Sequence, residues 1–108
     1  MTKITVYKYK TGDIEGFRCE DHAGFARKGK DIVCAAISVL VINTINSIEQ
    51  LTDEDFVCEQ DEKNAVISFH LKENHSEKAQ LLLQSMVLGL SNVESENKKY
   101  ISITLQEV

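Results

Sequence analysis

A long apolar helix is the feature that most constrains the fold of this chain of 108 residues. The sequence predicts a helix from Ile32 to Leu51 with Asp31 as its N-cap, apolar nearly all round at first and later on one stripe. That stripe runs through Ile42, Ile45, Ile48 and Leu51. A helix with more than one apolar side has to be covered, so we expect a core helix or a subunit interface. Its densest part, residues 32–42, is shorter than the roughly 18 apolar residues of a membrane span, so no membrane segment is expected.

Short strands are predicted on both sides of this helix. Alternating apolar and polar residues predict strands at residues 3–10 and 14–20, joined into a hairpin by the turn at residues 11–13. A second hairpin, residues 56–59 and 65–71, follows the helix. The chain closes with a strand at residues 100–106, for which the alternation predicts three inward side chains, Ile101, Ile103 and Leu105.

A second helix separates the last two strands. Asn74 and Glu77 have the spacing of a capping box, and one apolar stripe follows them: Ala79, Leu82, Leu83, Met86, Leu90 and Val93. The order is therefore ββαββαβ, which predicts an α+β fold with one mixed β-sheet of about five strands and two long helices. The length fits a single domain over residues 1–108. Pattern alone leaves open whether both helices share one face of the sheet.

Charge and cysteine content limit the class of protein. The net charge of −5, with mostly scattered basic residues, argues against direct nucleic-acid binding, because phosphate contacts need clustered Lys and Arg. The N-terminus alternates like a strand and does not resemble a signal peptide, so we expect a cytoplasmic protein. Cys19, Cys34 and Cys58 have no paired spacing, which predicts reduced thiols instead of a disulfide framework.

Cys34 and His22 are the candidates for chemistry. With Asp31 as N-cap, Cys34 falls at the third helical position, where the helix dipole and unpaired amides would stabilise a thiolate and an oxyanion. His22, on the connection before the helix, is the candidate general base and later proton donor to the leaving amine. Ser38 lies one turn after Cys34 on the same face, where its hydroxyl is placed either to support the site or to bond the preceding turn. The placement predicts cysteine-dependent catalysis.

Two other interpretations of these residues remain open. A cysteine followed by two alanines in an apolar helix is often a small buried hydrophobe, and a loop histidine is often simply solvated. Cys19, His22, Cys34 and Cys58 also form a conceivable zinc set. Structural zinc ligands usually come in close pairs, and only Cys19 and His22 are close in sequence, so this is the weaker alternative. Cys19 and Cys58 alternate with polar neighbours, which predicts strand core residues.

The sequence around Cys34 resembles a known family. Residues 29–38, Gly-Lys-Asp-Ile-Val-Cys-Ala-Ala-Ile-Ser, match throughout the pattern Gly-x-Asp-Ile-Val-Cys-Ala-Ala-x-Ser of the bacterial ribosomal-processing cysteine protease family Prp. His22 and Ala23 match the end of the family's Gly-His-Ala motif, with Asp21 in place of its glycine. Chain length and element order are similar from end to end, so the resemblance extends over the whole chain.

The resemblance implies a Cys–His dyad endopeptidase that removes a short N-terminal extension from ribosomal large-subunit protein twenty-seven. On this interpretation Cys34 is the nucleophile, His22 the base, and Asp31 and Ser38 supporting residues. It also implies a homodimer, a mobile loop between the dyad residues, and no metal or organic cofactor. Asp21 would orient His22, raise its pKa or restrict the substrate groove. The alternative is a non-catalytic ribosome-associated adaptor or assembly factor that binds the same precursor peptide.

Overall fold

The ββαββαβ order is confirmed by the structure, a computed structural model that describes residues 1–21, 28–72 and 76–108, without the side chains of residues 28–31. The elements are β1 (Thr2–Lys8), β2 (Ile14–Asp21), α1 (Lys28–Leu51), β3 (Phe56–Asp61), β4 (Val66–Leu71), α2 (Glu77–Glu96) and β5 (Ile101–Glu107). The predicted α+β class is therefore correct.

The five strands form one mixed sheet in the order β3-β4-β2-β1-β5. Both predicted hairpins are present, and β2 also pairs antiparallel with β4, while β1 pairs parallel with β5. The register places Ile4 opposite both Cys19 and Ile103, and Phe17 opposite Phe69. Because side chains alternate between the two faces of a strand, these apolar residues lie on one face of the sheet.

Both helices cover that same face, which answers the question that the pattern left open. The buried side chains of α1, α2 and the strands join one core, in which the rings of Phe56, Phe69 and Phe17 stack in sequence at 4.9 and 5.3 Å. The other face of the sheet carries partly or fully exposed residues such as Thr5 and Arg18. The protein is therefore a two-layer sandwich with one open sheet face.

The core face of α1 differs from the predicted stripe. The buried residues are Val33, Ile37, Val41, Thr44, Ile45 and Ile48. Ile42 and Leu51, which were expected on the buried stripe, are 38% and 69% exposed, so the prediction is wrong for both. Ile42 lies about 100° round the helix from Val41, and Leu51 is the last residue of the helix. The observed buried stripe of α1 therefore consists of the residues that face α2 and the sheet.

The apolar stretch of helix α1 is longer than its densest part, residues 32–42, suggested. Ile32–Leu51 has a mean hydropathy of 1.8 and is long and apolar enough, by length and composition, to cross a membrane. The expectation that the apolar stretch is too short to span a bilayer is therefore wrong as an argument from length. Core helices of globular proteins have the same property, and one side of this helix is buried in the core between the helices and the sheet.

Three further details differ from the sequence predictions. The N-cap of α2 is Ser76, whose hydroxyl accepts from the amide of Ala79, and Asn74 lies outside the described residues. Strand β1 ends at Lys8, because the amide of Tyr9 already donates to the carbonyl of Asp13 within the turn. Leu105 is 59% exposed instead of inward, since it lies towards the end of the edge strand β5.

Candidate active site

Cys34 lies in the second turn of α1, further into the helix than predicted. The helix begins at Lys28, so Asp31 is not the N-cap but belongs to the first turn, and Cys34 is the seventh helical residue. The unpaired amides belong to the first positions of a helix, and the effect of the dipole falls off within its first turn. The predicted third position of Cys34 is therefore wrong, and the end of the helix does not supply the expected stabilisation of a thiolate.

The thiol of Cys34 instead contacts the end of strand β2. Its Sγ–H donates to Oδ2 of Asp21 at 3.7 Å, and the other oxygen of Asp21, Oδ1, accepts from the hydroxyl of Thr2 at 3.2 Å. Thr2 and Asp21 are directly opposite each other in the β1–β2 register, so their side chains point to the same face. Asp21 therefore joins the first residue of β1 to the candidate nucleophile.

Cys19 lies on the same face of β2, two residues before Asp21. Burial raises the pKa of its thiol to about 11, and the negative charges of Asp21, an ionised Cys34 and Glu20 add to this effect. Burial also raises the pKa of Cys58, which packs half-buried against the core. Both cysteines are strand residues, as the alternation pattern predicted; Cys19 is in the core and Cys58 packs partly buried against it.

A cavity of about 250 Å³ opens beside Cys34 at this end of the sheet. Four chain segments contribute to its walls: the start of β1, the end of β2, α1, and the β3–β4 turn with the start of β4. The lining residues are Thr2, Cys19, Asp21, Cys34, Ile37, Ser38, Gln60, Asp61, Glu62, Ala65, Val66 and Ile67. The structure therefore brings together three of the sequence-predicted site residues, Cys34, Ser38 and Asp21.

The β3–β4 turn is the part of the site that sequence reasoning missed, since it read these residues only as a polar turn. The side-chain amide and the backbone amide of Asn64 donate to the carboxylate of Asp61, at 2.7 and 3.2 Å, and hold its pKa below the ordinary value. Asp61 and its neighbour Glu62 give this wall of the cavity negative charge. The turn reaches the site because β4 pairs with β2, and no local sequence pattern reports that pairing.

His22 lies outside the described residues, so its role as the base stays a prediction. The zinc alternative is tested by the cysteines. Cys19 on β2 and Cys58 on β3 are separated by β4, so about 10 Å lies between their backbones, whereas zinc binds sulfur at about 2.3 Å. Among the described residues, no group of three or more His, Cys, Asp or Glu side chains is arranged to hold a metal ion. The proposed zinc set is not brought together.

Comparison with known proteins identifies the family. The family model described as cysteine protease Prp matches residues 1–102 of the chain. The chain belongs to the cysteine protease Prp family. The ribosomal processing cysteine protease Prp of Bacillus subtilis (strain 168) is 27% identical over 108 residues, which cover 96% of each chain. The Prp of Staphylococcus aureus (strain Mu50 / ATCC 700699) is 28% identical over 103 residues, covering 95% of this chain and 97% of the relative.

Solved Prp structures have the same architecture. The crystal structure of the essential ribosomal processing protease Prp from S. aureus with a substrate peptide superposes with a TM-score of 0.91 at 24% identity, covering 98% of this chain and 100% of that chain. The S. aureus Prp complex with a covalently linked product peptide gives 0.89 at 25% identity, with the same coverage. SMU.848 from Streptococcus mutans gives 0.89 at 29% identity, covering 100% of this chain and 96% of that chain.

The family resemblance and the enzyme class predicted from the sequence are thus confirmed: this Prp-family chain is a cysteine protease. The cavity beside Cys34 holds the partly exposed thiol of that residue. Asp21, which stands in place of the glycine of the family pattern, lines this cavity. Its carboxylate contacts the thiol itself.

Proposed function

We propose that this protein is an endopeptidase that removes the N-terminal extension of ribosomal large-subunit protein twenty-seven, with Cys34 as nucleophile and His22 as base. The observation that carries the proposal is the position of Cys34, whose thiol opens on a cavity built from four segments of a cysteine protease chain. Cys19 and Cys58 are poor candidates for the nucleophile, because burial raises the pKa of both thiols.

The proposed reaction has two steps. The proton of the Cys34 thiol passes to His22, and the thiolate attacks the carbonyl carbon of the scissile peptide bond. The tetrahedral intermediate collapses, the C–N bond breaks, and the imidazolium of His22 protonates the leaving amine. Water, deprotonated by His22, then hydrolyses the thioester and restores the thiol. Ser38 lines the same cavity and supports the site, while Asp31 supports it from the first turn of α1.

The cavity suits a peptide that combines apolar and basic side chains. Ile37, Val66 and Ile67 provide apolar surface, and Asp61 and Glu62 place two carboxylates on the same cavity. Support for a ribosomal substrate comes from the relatives, since those in B. subtilis and S. aureus are named ribosomal processing cysteine proteases. The S. aureus Prp was crystallised with a substrate peptide. A cytoplasmic location, where ribosomes assemble, is part of the proposal.

A homodimer is also part of the proposal. Ile32, Val39 and Ile42 lie on the side of α1 opposite to its buried stripe and are exposed to solvent. A row of exposed apolar residues along one helix is typical of an interaction surface. Sedimentation of the wild type and of Val39→Glu tests this assembly, because a charge in the interface should shift the protein towards monomers.

The decisive experiment is mass spectrometry of the precursor ribosomal protein after incubation with matched variants. We expect one defined N-terminal cut with the wild type and with Cys58→Ala, and no cut with Cys34→Ala or His22→Ala. Cys58→Ala controls for the loss of a thiol elsewhere in the protein, on strand β3. Cleavage by Cys34→Ala would overturn the assignment of the nucleophile. If the wild type binds the precursor without cutting it and Cys34→Ser binds equally well, the adaptor interpretation replaces ours.

A further inference from the structure

We propose that Asp21 is a positioning residue for the Cys34 thiol, fixed by Thr2, and that its carboxylate keeps Cys34 as a thiol in the resting enzyme. This inference rests on the proposed role of Cys34 as nucleophile. It concerns a side chain that the glycine of the family pattern cannot supply, so it is specific to chains with aspartate at this position. It begins from two contacts of the Asp21 carboxylate within the described residues, one with Thr2 and one with Cys34.

Asp21 is held in place by hydrogen bonds of its backbone and of its side chain. Its backbone amide donates to the carbonyl of Ala65 at 3.0 Å, and its Oδ1 accepts from the hydroxyl of Thr2. Thr2 is itself 2% exposed, and its amide donates to the carbonyl of Tyr100. Ala65 has a φ of 53°, a left-handed conformation that costs a non-glycine residue of the order of 1 kcal/mol. Strands β1 and β2, the residue before β5 and a strained turn residue thus fix where Oδ2 points.

The carboxylate of Asp21 places a negative charge next to the Cys34 thiol. Oδ2 accepts a hydrogen bond from the Sγ–H form, and the negative carboxylate repels the thiolate, so both effects favour the protonated thiol. The other titratable groups that line the cavity are Cys19 on β2 and, in or next to the β3–β4 turn, Asp61 and Glu62. Within the described part of the chain, the charged side chains on this cavity are all acidic. The described part of the lining therefore opposes formation of the thiolate.

Comparing Asp21 with Asp61 separates the effect of direct contact with the Cys34 thiol from that of negative charge elsewhere on the cavity. Asp61 lines the same cavity as Asp21, but its carboxylate is bonded to Asn64 in the turn. Removing either charge changes the net charge of the cavity equally, whereas of these two carboxylates it is that of Asp21 that contacts Sγ. The pair Asp21→Asn and Asp61→Asn is therefore a matched comparison. Thr2→Val adds a third variant, which keeps the charge of Asp21 and removes the hydroxyl that fixes it.

The test is the pH dependence of Cys34 alkylation by iodoacetamide, followed by mass spectrometry of the peptide that contains Cys34. We expect the midpoint for Asp21→Asn to lie about one pH unit below that of the wild type, which means about tenfold faster alkylation at a fixed pH below both midpoints. Asp21→Gly should move the midpoint in the same direction. Asp61→Asn should leave it within about 0.3 units, and Thr2→Val should give a smaller downward shift than Asp21→Asn.

A purely structural role of Asp21 would not move this midpoint, so thermal unfolding of each variant separates the two effects. The inference is overturned if the Asp21→Asn and Asp21→Gly midpoints coincide with that of the wild type, or if Asp61→Asn moves the midpoint equally. Its failure is distinguishable from failure of the proposed function. The midpoint is measured without substrate, whereas the proposed function fails if Cys34→Ala still cleaves the precursor or if the wild type does not cut it.

Discussion

The side-chain amide of Gln80 joins α2 to the sheet through a single residue. Its Oε1 accepts from the amide of Ile14, and its Nε2 donates to the carbonyl of Ile14, both at 2.8 Å. Ile14 is the fully buried first residue of β2, next to the irregularity where the β1–β2 register shifts. We predict that Gln80→Ala destabilises the fold, because it removes the side-chain partner of the Ile14 amide and that of the Ile14 carbonyl.

The expected magnitude follows from these contacts. Each neutral hydrogen bond contributes about 1 kcal/mol net, and a buried group left without a partner costs about 1 to 3 kcal/mol. Alanine returns a few tenths of a kcal/mol through its higher helix propensity. The free energy of unfolding should therefore fall by about 2 kcal/mol, and the melting temperature by roughly 10 °C for a domain of this size.

Gln84 provides the matched control, one turn further along the same helix. Its Nε2 lies 3.5 Å from the carbonyl of Gly12 in an exposed contact, so Gln84→Ala should change stability by less than about 0.5 kcal/mol. Urea unfolding of both variants gives the difference directly. If Gln80→Ala is within 0.5 kcal/mol of Gln84→Ala, the two bonds to Ile14 contribute nothing measurable and our reasoning is wrong.

Three other predictions follow from contacts of single residues. A Cβ at Gly16 would lie 2.1 Å from a carbonyl oxygen of β4, so Gly16→Ala should lower the free energy of unfolding in urea by more than about 3 kcal/mol. Gly89→Ala is the control: its Cβ would meet only the flexible end of a leucine side chain, so the loss should be far smaller. With a pKa of about 11, Cys19 is only roughly 0.03% thiolate at pH 7.5, so iodoacetamide should label Cys34 first, and equal slow labelling of all three thiols would contradict this. The hydrogen bonds from Asn64 lower the pKa of Asp61 in the folded state, so the ionised carboxylate stabilises the protein above its ordinary pKa of 3.8, and this contribution is lost as the pH falls. Asn64→Ala should therefore make the urea midpoint of unfolding less dependent on pH between about 2 and 5.

The sequence predicted those parts of the fold that local periodicity determines. Alternation in the strands gave both hairpins, and the stripe through Leu83, Met86 and Leu90 gave the buried face of α2. The start of α1 was missed for the same reason, because residues 28–31 carry no apolar repeat and Asp31 resembles an N-cap. Exposure of Leu105 depends on which strand lies at the edge, and a single strand's pattern does not contain that information.

The candidate site was predictable only in its residues, not in its surroundings. The match around Cys34 and the departure at Asp21 were both visible in the sequence. The contact of Asp21 with Thr2 and the arrival of the β3–β4 turn depend on pairings between distant segments. Such pairings follow from the packing of the whole sheet. The walls of the cavity, and with them its negative charge, therefore emerged only from the structure.

The position of Cys34 also changes what has to activate it. The thiol is beyond the first turn of α1, and the charged side chains of its described surroundings are acidic, so neither the helix nor the cavity lining favours a thiolate. His22 is the proposed source of activation, so the question is whether Asp21 acts on the thiol directly or by orienting His22. A double-mutant cycle separates the two routes. If Asp21 acts on the thiol, Asp21→Asn should lower the alkylation midpoint of Cys34 equally in the wild type and in His22→Ala. If it acts through His22, the shift should vanish in the His22→Ala background.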